Sequence, residues 1–304
     1  MSEKILIAGG TGVVGTRLSE MLIDHGYEVA HLSRTPGQYA RYKTFKWDVK
    51  KGCIDENAIK YADYIINLAG ASVSGEKWTP GRKQEILLSR TQSTLLLCQY
   101  LEKVPNRVKG YLAASAIGIY GNSGDKLVME ESSYGSDFLA EVTKQWESAA
   151  WEIQQLGIRT VIFRIGIVLS DKGGALPQLA KPIKMLAGAP LGSGKQYMSW
   201  IHIDDACRLI IKAIEEREFS GVYNAVAPHP VTNEELTRTL ASVMHKPLVI
   251  PNVPAIGLKL MLGEMSEVVL SSARVSSTKV QQTGFTFEYN HIREALESFY
   301  DKNS

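Results

Sequence analysis

Residues 4–15, Lys-Ile-Leu-Ile-Ala-Gly-Gly-Thr-Gly-Val-Val-Gly, decide the fold. Lys4–Ala8 is an apolar run of strand length. From Val14 onward the apolar positions Val14, Leu18, Met21 and Leu22 recur at helical spacing. The glycine run GxxGxxG, with Gly9, Gly12 and Gly15 at its fixed points, therefore stands between a strand and a helix, the context that gives the pattern meaning. Glycines there permit a tight turn and let backbone approach a pyrophosphate. The helix N-terminus offers free N–H groups and the positive end of its dipole. Gly9, Gly10, Thr11, Gly12, Val13, Val14 and Gly15 are thus candidate phosphate-binding residues.

Outward from this loop the rhythm repeats. Gly26 stops the first helix. Glu28–Ser33 reads as the next strand, 44–48 as a short third, and Tyr64–Asn67 as a fourth closed by Gly70. A long helix runs from Thr79 as N-cap and Pro80 as first helical residue to about Glu102. Residues 108–114 form a fifth strand and 158–164 a sixth. Between them, 138–156 carries an apolar stripe at Leu139, Val142, Trp146, Ala149 and Ile153. Strand–helix alternation of this kind predicts an α/β, doubly wound parallel sheet of Rossmann type. Beyond Gly166 glycines (173, 174, 188, 192, 194) and prolines (177, 182, 190) punctuate the chain. Residues 232–244 open with the capping box Thr232/Glu235, and 261–272 and 291–300 are further helices. The expected division is a dinucleotide-binding domain over 1–170, to which segments near 195–227 return. A smaller, mostly helical substrate lobe covers 171–304 and packs at the carboxyl edge of the strands.

The second strand should end with the group that reads the adenosine ribose. Here it ends His31-Leu32-Ser33-Arg34-Thr35. It has no carboxylate to accept from the 2′-hydroxyl of NAD(H), and Arg34 suits the 2′-phosphate of NADP(H). The sequence therefore predicts NADP(H). Asp48, after the third strand, is placed to accept from the adenine amino group. Leu68, Ala69 and Gly70 end the fourth strand with residues small enough to let backbone pass close to the cofactor.

Bulk composition excludes several classes. The 304 residues carry a net charge of +2, so no basic field for nucleic acid exists, and the locally basic stretch 41–51 reads as a solvated face. Cys53, Cys98 and Cys207 are distant and odd in number, which argues against a disulfide framework or a zinc site. No two histidines have metal-ligand spacing. No run of 18 apolar residues and no signal-peptide h-region is present. The expectation is a cytoplasmic protein with a small-molecule substrate and no metal, nucleic-acid or membrane partner.

Taken together, the motifs resemble the extended short-chain dehydrogenase/reductases, the superfamily of sugar-nucleotide epimerases and dehydratases, over nearly the whole chain. More narrowly, the chain resembles the atypical "epimerase family protein" subgroup with a C-terminal domain of unknown function. The resemblance is carried by Trp78-Thr-Pro…Lys83…Ser89-Arg90, Ser115-Ala-Ile-Gly-Ile-Tyr120-Gly121, Trp146-Glu147 and Arg164-Ile-Gly-Ile-Val168-Leu. It continues through Gly192-Ser-Gly194, Ser199-Trp200-Ile-His202-Ile-Asp-Asp205, Gly263-Glu264-Met265 and Thr283-Gly284-Phe285. It implies that Val168 meets the nicotinamide amide through backbone, and that His202 is a satisfied, partly buried histidine. It also implies that the chain dimerises, as extended relatives often do.

The superfamily's chemistry uses a Ser and a Tyr-x-x-x-Lys. The Lys lowers the Tyr pKa, and the Tyr moves a proton as hydride moves at the nicotinamide. Ser115 matches the serine and Lys144 the lysine, but four residues before Lys144 stands Ala140. Three readings follow. Another phenol, Tyr120 or Tyr134, serves; or water or the substrate supplies the proton; or the protein binds cofactor without turnover. Ser115, Tyr120 and Lys144 are the candidate catalytic residues. Glu85 and Arg90, on the long helix, are candidate cofactor contacts, since an Arg in that place can hold a phosphate or carboxylate bidentately. The expected activity is that of an NADP(H)-dependent oxidoreductase or an enzyme like the nucleotide-sugar epimerases. The alternative is a non-catalytic NADP(H) sensor.

Overall fold

A computed structural model describes residues 2–37 and 41–300; positions 1, 38–40 and 301–304 lie outside the described residues. The chain begins β1 (Lys4–Ala8), α1 (Val13–Asp24), β2 (Glu28–Ser33), β3 (Lys43–Asp48), β4 (Cys53–Ile54), α2 (Glu56–Tyr61) and β5 (Tyr64–Asn67). Next come α3 (Pro80–Lys103), β6 (Gly110–Ala116), β7 (Leu127–Val128), α4 (Phe138–Gln155) and β8 (Arg159–Ile165). α3 starts where its sequence says: the Thr79 hydroxyl accepts from the Arg82 N–H at 3.2 Å, and Pro80 fills a position whose missing N–H costs nothing.

The second half supplies β9 (Ile167–Leu169), α5 (Ala175–Lys184), β10 (Tyr197–Met198), β11 (Trp200–His202), α6 (Ile203–Glu215) and β12 (Gly221–Ala225). It continues with β13 (Val231–Thr232), α7 (Asn233–Val243), α8 (Ala255–Leu262), α9 (Glu267–Leu270), β14 (Arg274–Val275), α10 (Thr278–Gln282) and α11 (Ile292–Tyr300). α7 is capped as its sequence predicts, Thr232 accepting from the Glu235 N–H. The helix read over 261–272 is broken: α8 ends at Leu262 because Gly263 takes a φ of +61°, and a 3₁₀ turn intervenes before α9.

Eight strands form one sheet in the order β12-β8-β6-β5-β1-β2-β3-β4. All neighbours pair parallel except the short β4, which is antiparallel to β3. The chain thus has the doubly wound, Rossmann-like fold. Strand alternation sorts the core. Ile5, Ile7, Ile66, Leu112 and Phe163 pack under α1 and α6; Leu6, Ala8, Ile65, Ala113 and Ile162 pack under α3 and α4. A third core joins α5, α7 and α11 through Leu176, Ile183, Leu236, Leu240, Ala295 and Leu296, with Trp200 at its base. The strand order reverses between β1 and β5. That reversal leaves a crevice at the carboxyl ends of the strands.

Candidate dinucleotide site

The crevice holds a cavity of about 290 Å³ lined by Gly9, Gly12, Val13, Val14, Gly15, Leu68, Ala114, Ile165, Val168, Gly173 and Gly174. The glycine loop, the end of the fourth predicted strand and Val168 therefore meet, although Gly9 and Val168 stand 159 positions apart in sequence. None of the lining side chains is titratable or polar. The polar groups it offers are backbone.

The fit to a dinucleotide can be tested on the loop itself. A side chain on Gly15 would overlap the Gly9 carbonyl oxygen, and one on Gly10 would lie 2.5 Å from the His31 ring, so both glycines are needed for packing. A Cβ on Gly12 would meet only the Gly9 oxygen at 3.3 Å, which leaves that face open to the cavity. Gly12 is the N-cap of α1, no side chain caps it, and its first turn holds no carboxylate. α5 repeats the arrangement: its N-cap is Gly174, again without a side-chain cap or an acidic first turn. Two helix N-termini thus face one apolar cavity with donors unclaimed by side chains, as a pyrophosphate requires. Gly173 lies against Val13, so the second-half loop covers the first-half loop. Gly173 and Gly174, with Ala114 and Ile165, were missed in the sequence reading; the signal was a second glycine pair ahead of a helix.

His31 buttresses the loop from below. Ser19 donates to the Gly15 carbonyl at 2.6 Å, so the 2.8 Å contact to His31 is a donation from Nε2–H to the Ser19 hydroxyl. Among the described residues its Nδ1 has no protein partner, and burial pulls its pKa down to about 4.

The turn after β5 is braced on the opposite side. Asn67 donates to Thr94 and Tyr111 and accepts from the Ala69 N–H. Ser89 accepts from the Ala71 N–H, and Arg90 donates to the Ala71 and Ile86 carbonyls. The Arg90 guanidinium stacks 5.2 Å from the Trp146 ring and packs on Gly70. No carboxylate lies within 4.0 Å of it among the described residues. Burial, and then the charge of Arg82, lower its pKa to about 10. Glu85 is not its partner: it is exposed and pairs with Arg82 at 2.6 Å.

At the ribose end, Ser33 is buried at the end of β2 and accepts from the Thr35 N–H, while Arg34 is exposed. Asp48 is engaged in a turn, accepting from the Lys51 N–H at 3.2 Å.

The three residues read as catalytic do not line the cavity. Ser115, Arg164 and Asn224 sit side by side on β6, β8 and β12, in register, on the sheet face under α4. Their neighbours Ala114 and Ile165 are on the other face, at the cavity. Ser115 donates to Glu147 at 2.5 Å, and Glu147 takes two further bonds from Arg164, both 2.8 Å. Arg164 also donates to the Tyr120 hydroxyl and the Glu130 carbonyl. Tyr120 donates to Asn224 at 2.7 Å, and burial pushes its pKa up to about 12. Both phenol and serine hydroxyl are therefore committed inside the protein. Lys144 is partly exposed, 3.6 Å from Glu141 on its own helix. His202 is the satisfied histidine expected: it caps α6 by accepting from the Asp204 N–H and stacks between Tyr289 and Phe299.

Comparison with known proteins agrees with this geometry. A model of the NAD dependent epimerase/dehydratase family matches residues 5–226, and a domain of unknown function, DUF1731, matches 253–299. The epimerase family protein YfhF of Bacillus subtilis is 38% identical over 96% of both chains. SAR0825 of Staphylococcus aureus, also called an epimerase family protein, is 37% identical over 99% of this chain and 100% of its own. Among solved structures, the human epimerase family protein SDR39U1 (isoform2) with NADPH superposes with a TM-score of 0.88 at 28% identity, covering 98% of this chain and 99% of that one. A nucleoside-diphosphate sugar epimerase from Corynebacterium glutamicum gives 0.79 at 30%, covering 98% of this chain and 58% of that one. With matched residues spanning most of its length and relatives this close, the chain belongs to the NAD dependent epimerase/dehydratase family.

Proposed function

We propose that this protein binds NADP(H) and exchanges hydride with a small polar substrate held between the sheet and the C-terminal lobe. The observation that carries the proposal is the apolar cavity onto which two uncapped helix N-termini converge. Residues 9–15 and the start of α5 would hold the pyrophosphate, and Arg34 the 2′-phosphate. Arg90, a cation with no acidic partner among the described residues, would draw a further anionic group to the 69–71 turn. When bound, the cofactor supplies or accepts a hydride at its nicotinamide. Leu68, Ala114, Ile165 and Val168 would exclude water from that end. No lining side chain carries a titratable proton, so the proton that balances the hydride comes from the substrate or from water. The structure of the human relative with NADPH supports the choice of cofactor.

A second reading has a specific observation behind it. Ser115 and Tyr120 are locked into a buried network and Ala140 replaces the usual phenol, which favours a non-catalytic NADP(H) sensor.

Calorimetric titration with NADPH and NADH tests the shared premise. NADPH should bind at least about tenfold more tightly, and Arg34→Ala should erase that margin while leaving NADH unchanged. Failure to bind either cofactor would overturn both readings. Robust NADPH oxidation across a carbonyl panel would eliminate the sensor.

A further inference from the structure

Away from the cavity, the second half exposes an apolar surface that its own fold does not use. α8, Ala255–Leu262, has the sequence Ala-Ile-Gly-Leu-Lys-Leu-Met-Leu, yet only Leu258 is buried. Ile256, Leu260 and Met261 are 72%, 80% and 69% exposed. Two neighbouring segments add Val249 and Ile250, and Met185 and Leu186. They are contiguous: Gly188 packs on Leu248, and residues 190–192 exchange backbone hydrogen bonds with Val253 at 2.8 and 2.9 Å. Leu186 holds a φ of +59°, a helix-end position where glycine is cheapest, so an exposed leucine is kept there against a local cost.

The charge within these segments has one sign. Segments 181–191 and 245–262 hold Lys181, Lys184, Lys246 and Lys259 and no Asp or Glu. None of these lysines has a carboxylate within 4.0 Å among the described residues; Lys184 lies over the Tyr300 ring. Just beyond α8, Glu264 is tied to Lys83, and Glu267 feels the charges of both Lys83 and Lys259.

We propose that this face of the C-terminal lobe docks on an anionic phospholipid surface, with Ile256, Leu260 and Met261 entering the headgroup region and the four lysines meeting lipid phosphates. Apolar side chains rimmed by cations are what such a surface rewards. A second copy of the chain fits less well, because a two-fold contact would set four lysines against four. Side chains this exposed project outward and do not line a groove of the kind that receives a peptide. The expectation of no membrane partner rested on the absence of a spanning segment, and no helix among the described residues is long and apolar enough to cross a membrane. Surface docking needs none.

The test is flotation of the full-length protein with vesicles of phosphatidylcholine alone and of phosphatidylcholine with an equal part of phosphatidylglycerol. The protein should float with the anionic vesicles only, and less at high salt. Each lysine changed to alanine should lower partitioning about fivefold, and the double change Leu260→Asp, Met261→Asp should lower it at least about tenfold. All these variants alter exposed side chains, so their unfolding midpoints and NADPH affinity should stay at wild-type values. Absence from the anionic vesicle fraction overturns the proposal, as does flotation that the double change leaves intact. A concentration-dependent dimer dissolved by that change, without flotation, would assign the face to a second copy instead.

Discussion

Two polar regions lie at the carboxyl end of the same sheet, on opposite faces, and they are built in opposite ways. Around the glycine loop, donors belong to backbone, the side chains are apolar, and helices α1 and α5 start without caps. Around Arg164, side chains carry most of the polar groups and they are paired: Glu147, Ser115, Tyr120 and Asn224 bond one another and Arg164, joined by the Glu130 carbonyl and the Asn224 N–H. Unclaimed donors mark where a ligand belongs, and a closed network marks where the fold is being specified. The family's usual catalytic serine falls in the second kind of region here.

That contrast is most easily broken at Arg164. Arg164→Met would leave the Glu147 carboxylate buried with only Ser115, which should cost about 3–5 kcal/mol of stability. Chemical denaturation measures it, and adding Glu147→Leu should recover much of the loss, since the unpaired charge goes with it. A loss below about 1 kcal/mol would mean the network is wetter than its geometry.

The glycine loop should respond through binding. Gly12 has room for a side chain, so Gly12→Asp should fold and place a carboxylate against the anion site. NADPH affinity should fall about 100-fold or more, near 3 kcal/mol, with the unfolding midpoint little changed. Wild-type affinity in that variant would remove the loop from the proposed site.

Much of this could be read from sequence, and the failures have physical causes. β2 and β5 lie where their apolar runs put them, and α3 and α7 begin at their capping residues. Those are local signals. α5 escaped because Pro177 and Pro182 looked like breaks. In fact Pro177 sits in the first turn, where no N–H partner exists, and Pro182 lies near the end of the helix. A smaller error had more effect. Ending the fifth strand at 114 left Ser115 in a loop, free to face the site. β6 runs through Ala116, and the pleat sends Ser115 to the far face. Its union with Arg164 and Asn224 depends on register between strands distant in sequence, which periodicity does not encode.

Acid acts through two buried histidines, neither of them in the Arg164 network. His31 under the loop and His202 at the start of α6 are both buried and neutral, with pKa values lowered to about 4 from 6.5, burial being the main cause. A depressed pKa gives stability that is full above 6.5 and lost as pH falls toward 4. Each histidine should therefore cost about 1.4 kcal/mol on going from pH 7.5 to 5.5. Urea unfolding at the two pH values measures the sum. Ring resonances of both residues should show no titration above pH 5; a midpoint near 6.5 for either would contradict its burial.

The smallest effect is the most informative about chemistry. Ser115→Ala removes one hydrogen bond from Glu147, which keeps both bonds from Arg164. No charge is stranded, so the cost should be only about 1 kcal/mol. If Ser115 belongs to the closed network alone, NADPH affinity stays within about twofold, and so does any turnover found in a substrate screen. If instead turnover falls about 100-fold while stability and cofactor affinity hold, the hydroxyl must leave Glu147 to touch substrate during the reaction. The boundary between the paired region and the open one would then move, because Glu147 and Arg164 would become positioning residues for a serine that the resting fold keeps turned away.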